Sequence, residues 1–371
     1  MQAQAAVDIQ HWQTSTGSEV YFVENHDLPI IDLSVNFAAG SARDEKSTSG
    51  LASITRYMMT LGAGGLSDEE ISKRIADVGA IMGGDIDTDR ASFQLRTLSS
   101  TRERDQALDI YSKVLQQPDF PAAVLDREKA RIIAGLQEAA TQPESIANKA
   151  FMKAVYGAHP YSLDTNGEPE TVAALKREDL QNFYHHYYGA KGAVIAMIGD
   201  LSREQAEQIA ERLSNGLPQA PAVSPLPDVQ YPDAATTEHI PHPAAQSHIL
   251  IGYPGIKRGD KDYFPLYVGN YILGGGGFVS RLTEEVREKR GLVYSVYSYF
   301  IPLEKLGPFQ IGLQTKAEQS DDALKVVRET LDKFMQEGPT EAELKAAKQN
   351  IIGGFPLRLD SNSKILEYLA V

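Results

Sequence analysis

Asp85, Asp87 and Asp89 alternate as the first ligands of a calcium loop do. The stretch lacks the glycine at the sixth loop position and the closing glutamate that such a site needs, so no metal is expected there. Gly274-Gly275-Gly276-Gly277 could bring backbone N–H groups to a phosphate, but the Gly-Lys-Ser/Thr ending of a phosphate cradle is absent. His185 and His186 are neighbours, and neither a helix nor a strand aims adjacent side chains at one point. The chain has no cysteine, which excludes disulfides, thiolate zinc sites and cysteine nucleophiles together. Arg287 and Tyr294 stand seven residues apart with Gly291 between them. By local sequence alone, Glu284 to Arg290 reads as a solvated helix face and Tyr294 as a core position of an alternating strand.

The elements that carry these residues belong to a chain of 371 residues, too long for one core, since cores stop growing at roughly 250–300 residues. Two domains are expected. A hydrophobic content of 42%, a charged content of 23%, 30 Gly and 19 Pro describe a globular chain. The net charge of −14 argues against a nucleic-acid partner, because phosphate binding needs clustered Lys and Arg. No run of about 18 apolar residues is present, so no membrane span is expected. Met1 to Val7 lacks the basic and apolar regions of a signal peptide but is similar to the small-residue stretch around a cleavage site. The expectation is a mature exported, periplasmic protein with an added initiator Met; a plain cytoplasmic start is the alternative.

Four prolines within Asn215 to Pro227 mark a linker, dividing the chain into a first unit at 1–216, a linker at 217–230 and a second unit at 231–371. The halves repeat one order of elements. A strand around Ile31 to Ala38 and a helix from Gly50 to Leu61 that ends at Gly62-Ala63-Gly64-Gly65 correspond, at an offset of 212 residues, to a strand around Ile249 to Tyr253 and a helix from Tyr263 to Leu273 that ends at Gly274–Gly277. Both glycine clusters are placed where helix C-caps need positive φ. Farther on, Arg131 to Gly135 matches Asn350 to Gly354 at an offset of 219. After Gly135 the first copy runs on for roughly 80 residues, including an apolar strand Ala193 to Gly199, whereas 17 residues follow Gly354. By symmetry, about 60 residues of the second unit are expected to be missing.

The landmarks Glu24-Asn25-His26, Val35 to Glu45, Gly157-Ala158-His159-Pro160-Tyr161, Phe183 to Tyr188 and Ile198-Gly199-Asp200 resemble those of the pitrilysin-type metallopeptidases, which carry an inverted zinc motif, His-x-x-Glu-His. The resemblance implies an α+β fold of two homologous α/β units, each an antiparallel-rich sheet packed by helices, the second truncated at its C-terminus. Carried across residue by residue, the first zinc ligand falls on Ser53, the base on Arg56, the second ligand on Tyr57 and the distant glutamate near Gly135. An arginine at the base position repels a dication, so no cofactor is expected in this chain. Arg287 and Tyr294 are similar to the Arg/Tyr pair that the family supplies from the half opposite the zinc. Such donors stabilise the oxyanion of peptide hydrolysis, and one is worth about 3–4 kcal/mol. Gly83, Gly84 and Asp85 match the family segment whose free strand edge accepts an extended peptide.

The resulting expectation is the non-zinc-binding subunit of a heterodimeric metallopeptidase, inactive alone, whose partner bears His-x-x-Glu-His and the zinc. The two chains would close like a clamshell around a peptide substrate. A structural or assembly subunit with no catalytic role is one alternative. A free peptide-binding module is the other; it would bind peptide alone, whereas the subunit reading expects little binding before the partner arrives.

Overall fold

Alternating and apolar runs set the strands of the first half. In the computed structural model, which describes residues 8–221 and 223–370, β1 (Gln10–Gln13), β2 (Glu19–Glu24) and β3 (Ile30–Phe37) precede α1 (Leu51–Met58). The stretch Met1 to Val7, read above as flanking a cleavage site, lies outside the described residues. A short hairpin, β4 (Gly62–Ala63) with β5 (Leu66–Ser67), leads into α2 (Asp68–Asp77), which Ser67 caps in a reciprocal box with Glu70. Next come β6 (Ile81–Gly83), β7 (Ala91–Leu98), α3 (Thr101–Gln116) and α4 (Ala122–Ala139). They are followed by α5 (Pro143–Tyr156), α6 (Pro169–Ala174) and α7 (Arg177–Tyr187). The apolar run at Ala193 to Gly199 is β8 (Val194–Gly199), and α8 (Arg203–Asn215) follows.

Between Asn215 and Gln246 the described residues contain no helix or strand, as seven prolines in that stretch dictate. The second half then forms β9 (Gln246–Pro254), α9 (Tyr263–Asn270), β10 (Val293–Phe300) and β11 (Pro308–Lys316). The helices α10 (Ser320–Glu337), α11 (Glu341–Gly354) and α12 (Asn362–Leu369) complete it. No helix among the described residues is long and apolar enough to cross a membrane.

Packing groups these elements differently from the linker. The first compact unit takes the residues up to Ala134, Asp164–Pro225 and those from Leu357 onward; the second takes Gly135–Leu163 and Leu226–Pro356. Each half of the sequence therefore lends one helix to the other unit: α5 packs on β9, and α12 packs on β8 and β3. The reason lies in side chains that no linker reading weighs. Leu366 and Leu369 close over Val23, Ala196 and Ile198, and each buried leucine contributes about 1.5–3 kcal/mol.

The first unit is built on a six-stranded sheet of order β1-β2-β8-β3-β7-β6, antiparallel except where β2 runs parallel to β8. Its centre is β3, buried from Ile31 to Phe37. Side chains alternate across a sheet, so Ile31, Leu33, Val35 and Phe37 share one face; Phe37 meets Tyr188 of the segment after α7 with ring centroids 4.9 Å apart. Tyr111 of α3 fastens that layer by donating its hydroxyl to the Phe93 carbonyl at 2.7 Å. Asp32, on the alternate face, accepts two hydrogen bonds from Arg96 at 2.7 and 3.1 Å. That pairing satisfies a buried carboxylate.

The second unit has a three-stranded antiparallel sheet of order β10-β11-β9. Leu282, Val286, Val296, Ile311, Leu313 and Val327 form its core. Gly252 of β9 has no side chain because a Cβ there would lie 2.8 Å from the Phe151 ring of α5. The Gly274–Gly277 cluster corrects the C-cap expectation, since only Gly277 has positive φ. A π-helical turn, Tyr271–Gly275, runs through it instead. Glycine is required at 274 for closeness rather than handedness: a Cβ would lie 2.6 Å from the Ser298 nitrogen.

Glu343 anchors α11 by accepting from Arg281 Nε and Nη2, both at 2.7 Å, and from the Thr340 backbone N–H, also at 2.7 Å. The Arg281 guanidinium is the main cause that holds the carboxyl down at about 2, from an ordinary 4.5. A depressed carboxylate contributes stability above its unfolded value and loses it as pH falls toward the folded one. Glu343→Gln is therefore expected to cost about 1–2 kcal/mol at pH 7, discounted for partial exposure. It should also flatten the loss of stability between pH 4.5 and 2, which an acid titration followed by circular dichroism would measure.

Candidate functional site

Arg287 and Tyr294 are brought together by a wide turn and one glycine. Residues Thr283–Glu288 form a π-helical turn in the second unit, a widening that recurs at functional sites. Gly291, at φ +63°, reverses the chain into β10. The Gly291 N–H donates to the Arg287 carbonyl at 2.8 Å and the Leu292 N–H to the Val286 carbonyl at 3.1 Å. As a result the Arg287 guanidinium lies 5.8 Å from the centroid of the Tyr294 ring. It also lies 4.9 Å from the ring of Phe278, in the 3₁₀ turn Gly277–Val279. Two aromatic faces thus hold one cation, each contact worth about 0.5–1 kcal/mol at an exposed site. The Tyr294 side chain is not core, contrary to its local pattern; the residue is 80% exposed, and its hydroxyl has no hydrogen-bond partner among the described residues. β10 is an edge strand, which is why an alternating position can face solvent. Tyr263, Tyr267, Tyr297 and Tyr299 line a cleft that includes Gly274 and Gly277.

In the first unit, Ser53, Arg56 and Tyr57 sit on α1. Asp44 positions this helix, accepting the N–H of Gly50 at 2.8 Å and of Ala52 at 2.9 Å. Burial pushes Asp44 up to about 7, against the pull of the hydrogen bonds from Ala52, Gly50 and Leu51. Arg56 donates Nε and Nη2 to the Ser92 carbonyl at 3.3 and 3.2 Å and lies 5.0 Å from the Phe93 ring. Tyr57 is covered by Arg131 of α4, 5.4 Å from its ring centroid. Arg131 in turn pairs with the buried carboxylate of Glu128 at 2.7 Å. Burial raises Glu128, but its bonds to Arg131 and Arg127 prevail and hold it below the ordinary carboxylate value. Gly135, also on α4, would present a Cβ to open space.

Residues 20–168 match the family described as Insulinase (Peptidase family M16), and residues 174–351 match the Peptidase M16 inactive domain. The crystal structure of a peptidase M16 inactive domain from Pseudomonas fluorescens superposes with a TM-score of 0.95 at 38% identity, covering 98% of this chain and 87% of that one. The chain belongs to the M16 peptidase family. A Bacillus subtilis protein called uncharacterized zinc protease YmxG is 25% identical over 96% of this chain and 86% of its own length. A Helicobacter pylori protein called non-peptidase homolog YmxG is 26% identical over 94% of this chain and 80% of its own.

The positions that the resemblance assigned to His-x-x-Glu-His lie on α1, which carries there a hydroxyl, a guanidinium and a phenol. None of these is a zinc ligand of the usual kind. Among the described residues no group of three or more His, Asp or Glu is placed to hold a metal ion. After equilibration with zinc and desalting, the purified chain is expected to carry under about 0.1 equivalent by elemental analysis.

Of the remaining candidates, Asp87 and Asp89 serve the fold. Asp87 accepts the N–H of Asp89 at 2.8 Å and of Arg90 at 2.7 Å, closing a turn, and Asp89 is buried. His185 and His186 are exposed on α7. Gly83 ends β6, and Gly84 and Asp85 continue from it at the sheet edge. Sequence reasoning missed Phe278, Glu128 and Arg131. The i to i+3 spacing of Glu128 and Arg131 on a helix was a usable signal for that ion pair; nothing local marks Phe278.

Proposed function

We propose that this chain is the zinc-less subunit of a two-subunit M16 metallopeptidase, acting in peptide hydrolysis through Arg287 and Tyr294. The observation that carries the reading is an exposed tyrosine hydroxyl with no internal partner beside a guanidinium steadied by Phe278 and Tyr294. A peptide carbonyl gains negative charge on oxygen as water adds to carbon, and preformed donors aimed at that oxygen stabilise it. In this assignment Tyr294 donates to the developing oxyanion and Arg287 donates to neighbouring substrate carbonyls. The partner, a His-x-x-Glu-His homologue, supplies the metal and the base that activates water. The inactive-domain match and the non-peptidase description of the Helicobacter relative support the absence of independent catalysis.

The test is reconstitution. The chain is mixed with the His-x-x-Glu-His homologue of its own organism, and cleavage of a quenched fluorescent peptide library is followed. Activity in the mixture and in neither component alone is the expected result. Equal activity of the homologue with and without this chain would sink the assignment.

A further inference from the structure

His26 stands between two carboxylates. Its Nδ1 lies 2.6 Å from Asp200 Oδ1 and its Nε2 lies 2.7 Å from Glu24 Oε1. Both partners are acceptors, and a neutral imidazole has one N–H to give. Only the imidazolium donates at both nitrogens, so this arrangement belongs to the charged ring. Asp200 is fixed from its other side, where Oδ2 accepts from the Ser99 hydroxyl at 2.5 Å. The hydrogen bond to Asp200, and after it the one to Glu24, raises His26 above its ordinary 6.5. Glu24 of β2 and Asp200 after β8 are the charged groups that act on the ring. Ser99 after β7 and Asn362 of α12 bring neutral groups to this corner.

Strand register explains why the carboxylates meet. β2 runs parallel to β8 with Glu24 opposite Gly199, so Asp200 follows directly at the end of the same pair. Like charges placed side by side on neighbouring strands repel, and a protonated His26 between them removes the conflict. The Asn25 N–H donates to the Gly199 carbonyl at 3.0 Å, which leads the chain out of β2 toward Asp200.

The same strand ends are the seat of α12. Leu366 and Leu369 close over Val23, Ala196 and Ile198, and Val23 immediately precedes Glu24. The Asn25 side chain donates to Asn362 Oδ1 at 3.0 Å, at the first residue of α12. His26, both carboxylates, Ser99 and α12 all belong to the first compact unit. The ring that ties β2 to β8 is therefore the sequence neighbour of the side chain that meets the helix.

We propose that His26 is a pH-set latch on α12. Protonated, it ties the ends of β2 and β8 together and steadies the surface on which Leu366 and Leu369 rest; neutral, it releases one carboxylate and the helix opens more often. The sign follows from a raised histidine, whose contribution is complete below the ordinary 6.5 and is lost as pH rises through the folded value. The latch is independent of Arg287 and Tyr294.

Hydrogen exchange of α12 in the full chain tests this. Protection of Asn362–Leu369, corrected for intrinsic exchange, is compared at about pH 5.5 and about pH 9, on either side of the transition. The ratio of protection at the two pH values is expected to be about two- to fivefold larger in the wild type than in His26→Gln, a modest effect because the side chain is 56% exposed. Any contribution of Asp44 to the pH dependence is common to both proteins and cancels in the comparison. His26→Arg, charged at both pH values, should keep the higher protection at the alkaline one. Equal ratios in the wild type and His26→Gln would overturn the proposal, and the exposed position lets both variants fold.

Discussion

Tyr294→Phe is expected to lower kcat of the reconstituted peptidase by about 10²–10³-fold, the usual loss when one oxyanion donor is removed. The substitution deletes one oxygen from a side chain that is 80% exposed and hydrogen-bonded to no described residue, so folding and the Arg287 contact are retained. The effect should therefore fall on kcat, with KM nearly unchanged, because the hydroxyl is assigned to charge that exists only in the transition state. Arg287→Ala should behave differently. It removes donors to substrate carbonyls and also the cation held by Phe278 and Tyr294, so KM is expected to rise as kcat falls. Unchanged cleavage in both variants would return the chain to a purely structural role.

Asp44→Ala is expected to destabilise the first unit by about 2–4 kcal/mol. The residue is 5% exposed, and its two oxygens are the partners of the Gly50 and Ala52 N–H groups that open α1. Removing it strands buried donors, each of which costs about 1–3 kcal/mol. Gly50 adds to the demand, for it stands at φ +95° with a Cβ-sized space closed by the Asn166 carbonyl at 2.9 Å. A pH dependence accompanies this. With a folded value of about 7 against an ordinary 3.8, the neutral carboxyl contributes stability that is complete below about pH 4 and is lost as pH rises through 7. Tm of the wild type should therefore fall between pH 4 and 8 by more than that of Asp44→Asn, as scanning calorimetry would report. An equal fall in both proteins would remove Asp44 from the account.

The fold was legible where the signal is periodic or repeated. β8 is a continuous apolar run because it lies inside the sheet, and the offset of 212 residues carries α1 onto α9 and the end of β3 onto the start of β9. The Arg287 and Tyr294 pair could be named only through the family resemblance, since by its local pattern Tyr294 reads as a core position. Phe278 could not, since its meeting with Arg287 depends on how the 3₁₀ turn Gly277–Val279 is set against the π-helical turn. The loan of α5 and α12 was equally invisible: which sheet a helix covers is settled by packing at long sequence separation, and amphipathicity says only that it covers something. At Gly274 the residue type was read for its handedness, while the structure uses its lack of volume.

The crossed helices also set a timetable for synthesis. β8 is complete at Gly199, yet Leu366 and Leu369, which cover Val23, Ala196 and Ile198, emerge roughly 170 residues later, about 10–30 s at ordinary ribosomal speeds. Throughout that interval one side of the nascent sheet is greasy and bare, while α5 waits for β9 to be made. A chain built this way matures late and all at once, and the nascent polypeptide is where a chaperone would find it.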